Sequence, residues 1–232
     1  MIKLSVIIPV YNEEKTIGEV IEKVKKVKIN NVEKEIVIVD DCSKDNTRNI
    51  LKNIKDKSLK IFYHEKNMGK GAAIKTCLKN ATGDIILIQD ADLEYNPHEY
   101  EKLLKPIIKN KAEVVYGSRL ESIRKNIKNM YKVHYIGNLF LTLMTNLLYK
   151  AEITDMETGY KVFRIKVIQG LNLKAKRFDF EPEITAKILK KGYKIHEVPI
   201  SFAGRKFKEG KKITWKDGIK AAYYLVKYRF FD

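Results

Sequence analysis

The chain has 232 residues, enough for one α/β domain, or one with a small appendage, to bury a full core without disulfides. Its two cysteines, Cys42 and Cys77, exclude a disulfide-built secreted scaffold, and a reduced cytosolic setting fits best. Lys and Arg number 46 against 29 Asp and Glu, and a net charge of +17 asks for an anionic partner: nucleic acid, a phosphorylated substrate or an acidic membrane surface.

Met1 to Pro9 is too short and too soon broken for a signal peptide and reads as the start of a first strand. Strands are expected at Leu4–Val10, Glu35–Val39, Leu59–Tyr63, Ile85–Ile88 and Glu113–Tyr116. Helices are expected between them, at Lys15–Val27, Asp45–Ile54, Gly69–Asn80 and Pro97–Ile108. The strand runs are continuous and β-branched, which suits a parallel sheet covered on both faces by βαβ crossovers.

The later half differs. Met130–Tyr149 carries Val133, Ile136, Phe140, Met144 and Leu147 near helical spacing, but His134, Asn138, Thr142, Thr145 and Asn146 interrupt it. That is too polar for a membrane span and leaves two readings, a core helix or one lying in the membrane interface. Glu181–Lys191 is expected as a helix, Lys194–Ser201 as a strand, and Trp215–Phe231 as a basic, aromatic, amphipathic tail. Between Ser122 and Lys150 there is no acid, while Arg124, Lys125, Lys128, Lys132 and Lys150 are basic. Either segment could pack on the domain or touch a lipid surface.

The motif richest in chemistry is Asp90-Ala91-Asp92, directly after the apolar run Ile85–Ile88. Two carboxylates one residue apart at a strand's carboxyl end can share a divalent cation, and that cation can neutralise a diphosphate. Pro9-Val10-Tyr11-Asn12-Glu13-Glu14 and Asp40-Asp41-Cys42-Ser43 follow the first two strands and should open on the same edge. Asn67-Met68-Gly69-Lys70-Gly71 opens a helix, where backbone amides and Lys70 suit a phosphate. Each motif alone also reads blandly, as a turn or a helix start.

In combination these motifs resemble family 2 glycosyltransferases of the GT-A nucleotide-sugar-binding fold. Gly117-Ser118-Arg119, Asp155–Lys161, Phe178-Asp179-Phe180-Glu181, and Val198-Pro199-Ile200 with Arg205, Lys211 and Lys212 look like the polyprenyl-phosphate sugar synthase branch, which includes the dolichyl-phosphate mannose and glucose synthases. The resemblance covers nearly the whole chain. It implies one catalytic domain over 1–232, with a nucleotide-sugar half at 1–120 and an acceptor half at 121–232.

The resemblance further implies inverting transfer from a UDP- or GDP-linked sugar to a polyprenyl phosphate at the cytoplasmic membrane face. Pro9, Tyr11, Glu13 and Lys70 would hold the nucleotide, and Asp40 its base or ribose. Asp90, Asp92 and Glu94 would hold Mg2+ or Mn2+; Glu94 stands where relatives often carry Gln. The chemistry by itself needs cations that hold two phosphates close together, and Arg119, Arg205, Lys211 and Lys212 suit the acceptor phosphate; by the resemblance, Asp155 would orient the reacting groups. Cys42 stands where glycine is common, a packing variation. Docking would use segments 122–150 and 215–231, or a membrane partner protein. A glycan or other hydroxyl acceptor is the alternative, and it would need a base such as Asp155 or Glu181. Nucleic-acid binding is disfavoured, since no such motif is present and the crevice loops are acidic.

Overall fold

The computed structural model describes residues 1–125, 132–205 and 215–231, with side chains at 1–124, 135–205 and 217–231. Lys128, Met130, Lys211 and Lys212 therefore lie outside the described residues, as do the side chains of Lys125, Lys132, Val133, His134 and Trp215.

The strands are β1 (Ile2–Val10), β2 (Val32–Asp40), β3 (Leu59–Tyr63), β4 (Ile85–Ile88), β5 (Val114–Ser118), β6 (Lys161–Arg164) and β7 (Ile195–Pro199). They form one sheet in the order β3-β2-β1-β4-β6-β5-β7. β6 runs antiparallel between β4 and β5; the other pairings are parallel. The sequence does not announce β6, because four residues with Val162 and Phe163 inside are too few to show a period.

Side-chain alternation splits the core in two. Leu4, Val6, Ile8 and Val10 of β1, with Ile85 and Leu87 of β4, pack with Ile17, Val20 and Ile21 of α1 (Ile17–Lys26) and Leu103, Leu104 and Ile107 of α4 (Tyr100–Ile108). Ile7, Ile86 and Ile88 point the other way. They meet Ala73, Ile74 and Cys77 of α3 (Lys70–Asn80), Val167 and Ile168 of α7 (Ile165–Gln169), and Phe180, Ile184 and Ile188 of α8 (Phe180–Lys190). Strands buried on both faces are apolar at nearly every position, which is why they read as long apolar runs; buried Ser5 and Glu35 are exceptions that bond one another. Two further short helices are α2 (Thr47–Asn53) and α5 (Leu120–Lys125).

The last two helices, α6 (Lys132–Tyr149) and α9 (Trp215–Phe230), pack on one another through Leu141, Ile153, Met156, Ala221 and Leu225. The Tyr149 hydroxyl also donates to the Leu225 carbonyl at 2.6 Å. α6 is turned the unexpected way round. Its polar Asn138, Thr142 and Thr145 are buried, while Ile136, Phe140, Leu143 and Leu147 are exposed. α9 repeats the pattern with exposed Ile219, Tyr223, Val226 and Phe230. The core reading of the 130–149 apolar positions is thereby corrected for Ile136, Phe140 and Leu147. Among the described residues no helix is long and apolar enough to cross a membrane.

Candidate active site

The loops after β1, β2, β4, β5 and β7 leave from the same edge of the sheet, and the segment entering antiparallel β6 arrives there. They enclose a cleft of about 750 Å³. Three of these loops hold a non-glycine residue in the left-handed region: Asn12 (φ 51°), Cys42 (φ 63°) and Leu93 (φ 62°). Such turns are strained, and they re-aim the side chains beside them. The Cys42 conformation is one glycine adopts freely. Its thiol donates to the Glu65 carbonyl at 3.4 Å and does not line the cleft, so it is a packing element.

Carboxylates and cations alternate along the cleft floor. Lys70 Nζ lies 2.9 Å from Asp90 Oδ1 and 2.9 Å from Glu181 Oε1. Arg205 donates through Nη1 and Nη2 to Glu13 at 2.9 and 3.0 Å, and through Nη2 to Asp92 Oδ2 at 3.2 Å. Its backbone N–H donates to Glu94 Oε1 at 2.6 Å, while its buried Nε has no hydrogen-bond partner. Burial and the charges of Asp90 and Glu94 push the Asp92 carboxyl up to about 7. Burial also raises Glu94, against the hydrogen bond from Arg205. Lys70 is held well above the usual range: burial opposes its charge, and Asp90 and Glu181 more than offset that.

Among the described residues no three Asp, Glu, His or Cys side chains converge as a metal cage. Asp90 and Asp92 fit a hard cation in another way. Mg2+ and similar ions are commonly held by one or two carboxylates plus substrate phosphates. Burial is the main cause that raises Asp92, and the Asp90 and Glu94 charges that add to it are what a bound cation would offset; Arg205 now offsets them in part, while Lys70 pairs with Asp90. Gly159 shapes this spot: a Cβ there would lie 2.2 Å from Asp90 Oδ2 and 2.9 Å from the Tyr95 ring. Its N–H donates to the Tyr95 hydroxyl at 2.7 Å.

Arg119 is locked. Its Nε, Nη2 and backbone N–H donate to Asp155 at 2.7, 2.7 and 2.8 Å, and Asn138 adds a bond of 3.0 Å. Burial alone would raise the Asp155 carboxyl, but the Arg119 charge and these bonds hold it below the usual range. Arg119 lines the cleft with Cζ 5.1 Å from the Phe202 ring centroid.

The glycosyl transferase family 2 model matches residues 5–171. The chain belongs to that family. It is 33% identical to the UDP-N-acetylglucosamine--dolichyl-phosphate N-acetylglucosaminyltransferase of Methanococcus voltae, over 95% of this chain and 93% of that protein. It is 30% identical to the dolichol-phosphate mannosyltransferase of Pyrococcus furiosus, over 97% of this chain and 64% of that protein. Glucosyl-3-phosphoglycerate synthase from Mycobacterium tuberculosis, solved with Mn2+, UDP and phosphoglyceric acid, superposes with a TM-score of 0.75 at 17% identity, over 100% of this chain and 80% of that one. The fold is the GT-A fold, and the chain is a glycosyltransferase resembling the dolichyl-phosphate sugar synthases.

In this glycosyltransferase Pro9, Tyr11, Glu13, Lys70, Asp90, Asp92, Glu94, Arg119 and Arg205 all line one cleft. Two of the expected site residues do not line the cleft. Asp40 is fully buried and turned away from the cleft, where Arg48 Nε donates to its Oδ2 at 2.7 Å; Asp41 is the one that lines the cleft. The reason is strand alternation, which sends adjacent residues to opposite sides. Asp155 does not reach the cleft either. It is a positioning residue for Arg119. The amides opening α3 are partly taken, Gly69 N–H by Asp41 at 2.7 Å and Ala72 N–H by the Lys176 carbonyl at 3.1 Å. Glu157, Gly159, Tyr95 and Phe202 were not singled out from sequence, yet all line the cleft. The first two lie inside the quoted 155–161 motif, the only signal that pointed to them.

Proposed function

We propose that the enzyme transfers a sugar, with inversion, from a nucleoside diphosphate sugar to a polyprenyl phosphate at the cytoplasmic face of the membrane. The observation that carries this is the continuity of the cleft. Its floor is ionic, with Asp90, Asp92, Lys70, Arg119 and Arg205, and its other wall is Phe140, Leu141, Ile219 and Ala222 of α6 and α9. A substrate with a phosphate head and an apolar tail fits both. Beyond the cleft the exposed stripes 136-140-143-147 and 219-223-226-230 continue the apolar wall. Lys227 and Arg229 lie on the same helix. Apolar stripes with flanking cations suit an anionic lipid surface.

Residues 1–120 would supply the nucleotide half and 121–232 the acceptor half of one catalytic domain. Pro9, Tyr11 and Glu13 would face the donor nucleotide, which is UDP- or GDP-linked. Asp90 and Asp92, with Glu94 beside them, would hold Mg2+ or Mn2+, whose bound charge would stabilise the departing diphosphate. Arg205 would hold the acceptor phosphate through its unpartnered Nε, and Arg119, which also lines the cleft, would add a second cation. An acceptor phosphate oxygen forms the new bond to the anomeric carbon from the face opposite the leaving nucleoside diphosphate. The acceptor is already an anion at neutral pH, so the step needs no general base. Two anions must instead be held close together, and arginine forks suit that.

The test is label transfer. The protein is incubated with Mn2+ or Mg2+, phytanyl or undecaprenyl phosphate, and radiolabelled UDP-glucose, UDP-N-acetylglucosamine or GDP-mannose in separate reactions. Label in the organic phase from one donor is the expected result. No organic-phase label from any donor, with nucleotide binding intact by calorimetry, overturns the lipid-phosphate acceptor.

A further inference from the structure

Two carboxylate oxygens in the cleft have no work in the account above. Glu181 is only 6% exposed, and its Oε1 holds Lys70, but its buried Oε2 has no hydrogen-bond partner. Glu157 Oε1 is likewise buried without a partner. Both residues line the cleft. A desolvated, unpartnered carboxylate oxygen is costly, and a native structure keeps one only where something completes it.

Their placement indicates what that is. Lys70 bridges Asp90 and Glu181, so Glu181 lies one ammonium away from the carboxylate assigned to the diphosphate. Glu157 stands two residues before Gly159, whose backbone is pressed against Asp90. The two glutamates are close enough that the charge of Glu181 is the main electrostatic cause, after burial, holding the Glu157 carboxyl near 7. Both therefore flank the diphosphate end of the donor site. The group attached next to a donor diphosphate is the sugar.

We propose that Glu157 and Glu181 form the sugar-recognition subsite, accepting hydrogen bonds from hydroxyls of a neutral pyranose. This rests on the nucleotide-sugar reading above. Sugar hydroxyls are the donors that two acceptor oxygens require, and hydrogen bonds to carboxylates are about twice as strong as neutral ones. The same pair sets a class boundary: a uronic acid sugar would bring a third carboxylate beside two carboxylates that each hold a buried oxygen, and is rejected.

Calorimetry in the presence of Mn2+ tests this on Glu157→Gln and Glu181→Gln, both near-isosteric and each checked for an intact fold by its melting curve. The titrants are UDP, UDP-glucose and UDP-glucuronate, with GDP and GDP-mannose in parallel. Bare nucleotide affinity is expected to stay within about twofold, while affinity for the sugar nucleotide falls about tenfold or more in either variant. The wild-type protein should bind UDP-glucuronate at least about tenfold more weakly than UDP-glucose, with the gap narrowing in the variants. Equal losses for nucleotide and sugar nucleotide would show that the pair acts only through Lys70 on the diphosphate, and would overturn the subsite. So would unchanged affinities, or a wild-type protein that takes the uronate equally well. A wild-type protein that binds no nucleotide of either base would overturn the donor reading itself, and the subsite with it.

Discussion

Two arginines face the same cleft, and their settings differ in kind. Arg119 is forked onto Asp155, a fully buried carboxylate that does not itself line the cleft and that Asn138 also holds. Arg205 is forked onto Glu13 and touches Asp92, two carboxylates that themselves line the cleft, and one of its own nitrogens lacks a partner. Arg119 is thus a fixed cation built into the wall. Arg205 is an exchangeable counter-ion, whose partners are the groups a donor and its metal would engage. The lesson is that an arginine's role follows from whether its carboxylate partner is committed elsewhere.

This contrast can be broken most severely at the Arg205 corner. Asp92→Ala should reduce turnover about a thousandfold or more in the label-transfer assay. Its melting temperature should not fall, because a crowded carboxylate has been removed; near-normal turnover would dismantle the metal assignment. At the Arg119 corner the loss should appear in stability. Asp155→Ala leaves a buried guanidinium uncompensated and should cost about 3–5 kcal/mol, a drop in melting temperature of order 10 °C. A melting curve that does not move would mean Arg119 is not held as described.

Arg205→Ala should raise the acceptor concentration needed for half-maximal rate by about tenfold or more, with a smaller change for the donor. Comparable changes for both substrates would count against its placement at the acceptor phosphate. Glu157→Gln sharpens the account of the cleft floor through pH. The folded carboxyl is raised to about 7 from 4.5, so the parent protein loses stability as pH rises from about 4.5 through 7. The variant should match the parent's stability below that window and exceed it above. Denaturant melts at pH 4.5 and pH 8 measure this, and a pH-independent difference contradicts the buried-acid account. The smallest effect is expected at the lipid face. Leu147→Ser or Phe230→Ser should weaken sedimentation with anionic vesicles by about fivefold each. Transfer to a short-chain soluble acceptor should be unaffected, and unchanged sedimentation would argue that these stripes meet something other than lipid.

Much of the active site was legible because its motifs sit at strand ends. Continuous β-branched runs fixed where each loop begins, and parallel neighbours had to open them on one edge. Where that logic met the pleat it slipped by one residue: Asp40 and Asp41 are equivalent in composition, and only the strand's alternation turns Asp40 onto Arg48 and leaves Asp41 to the cleft. Glu157 was not legible as a cleft residue, since its position depends on β6, a short antiparallel strand inserted between β4 and β5.

The sequence by itself determined the family, the α/β class and the carboxylate and cation motifs, because these are local properties of strand runs, loops and residue chemistry. Only the tertiary structure decided which charges are neighbours. Lys70 with Asp90 and Glu181, and Arg205 with Glu13 and Asp92, join residues up to 192 positions apart. It also decided which face of α6 is outside. A helix pattern specifies a stripe but not the direction in which it points, and here buried Asn138 bonds Asp155 while the stripe of Ile136, Phe140 and Leu147 is left to the surroundings.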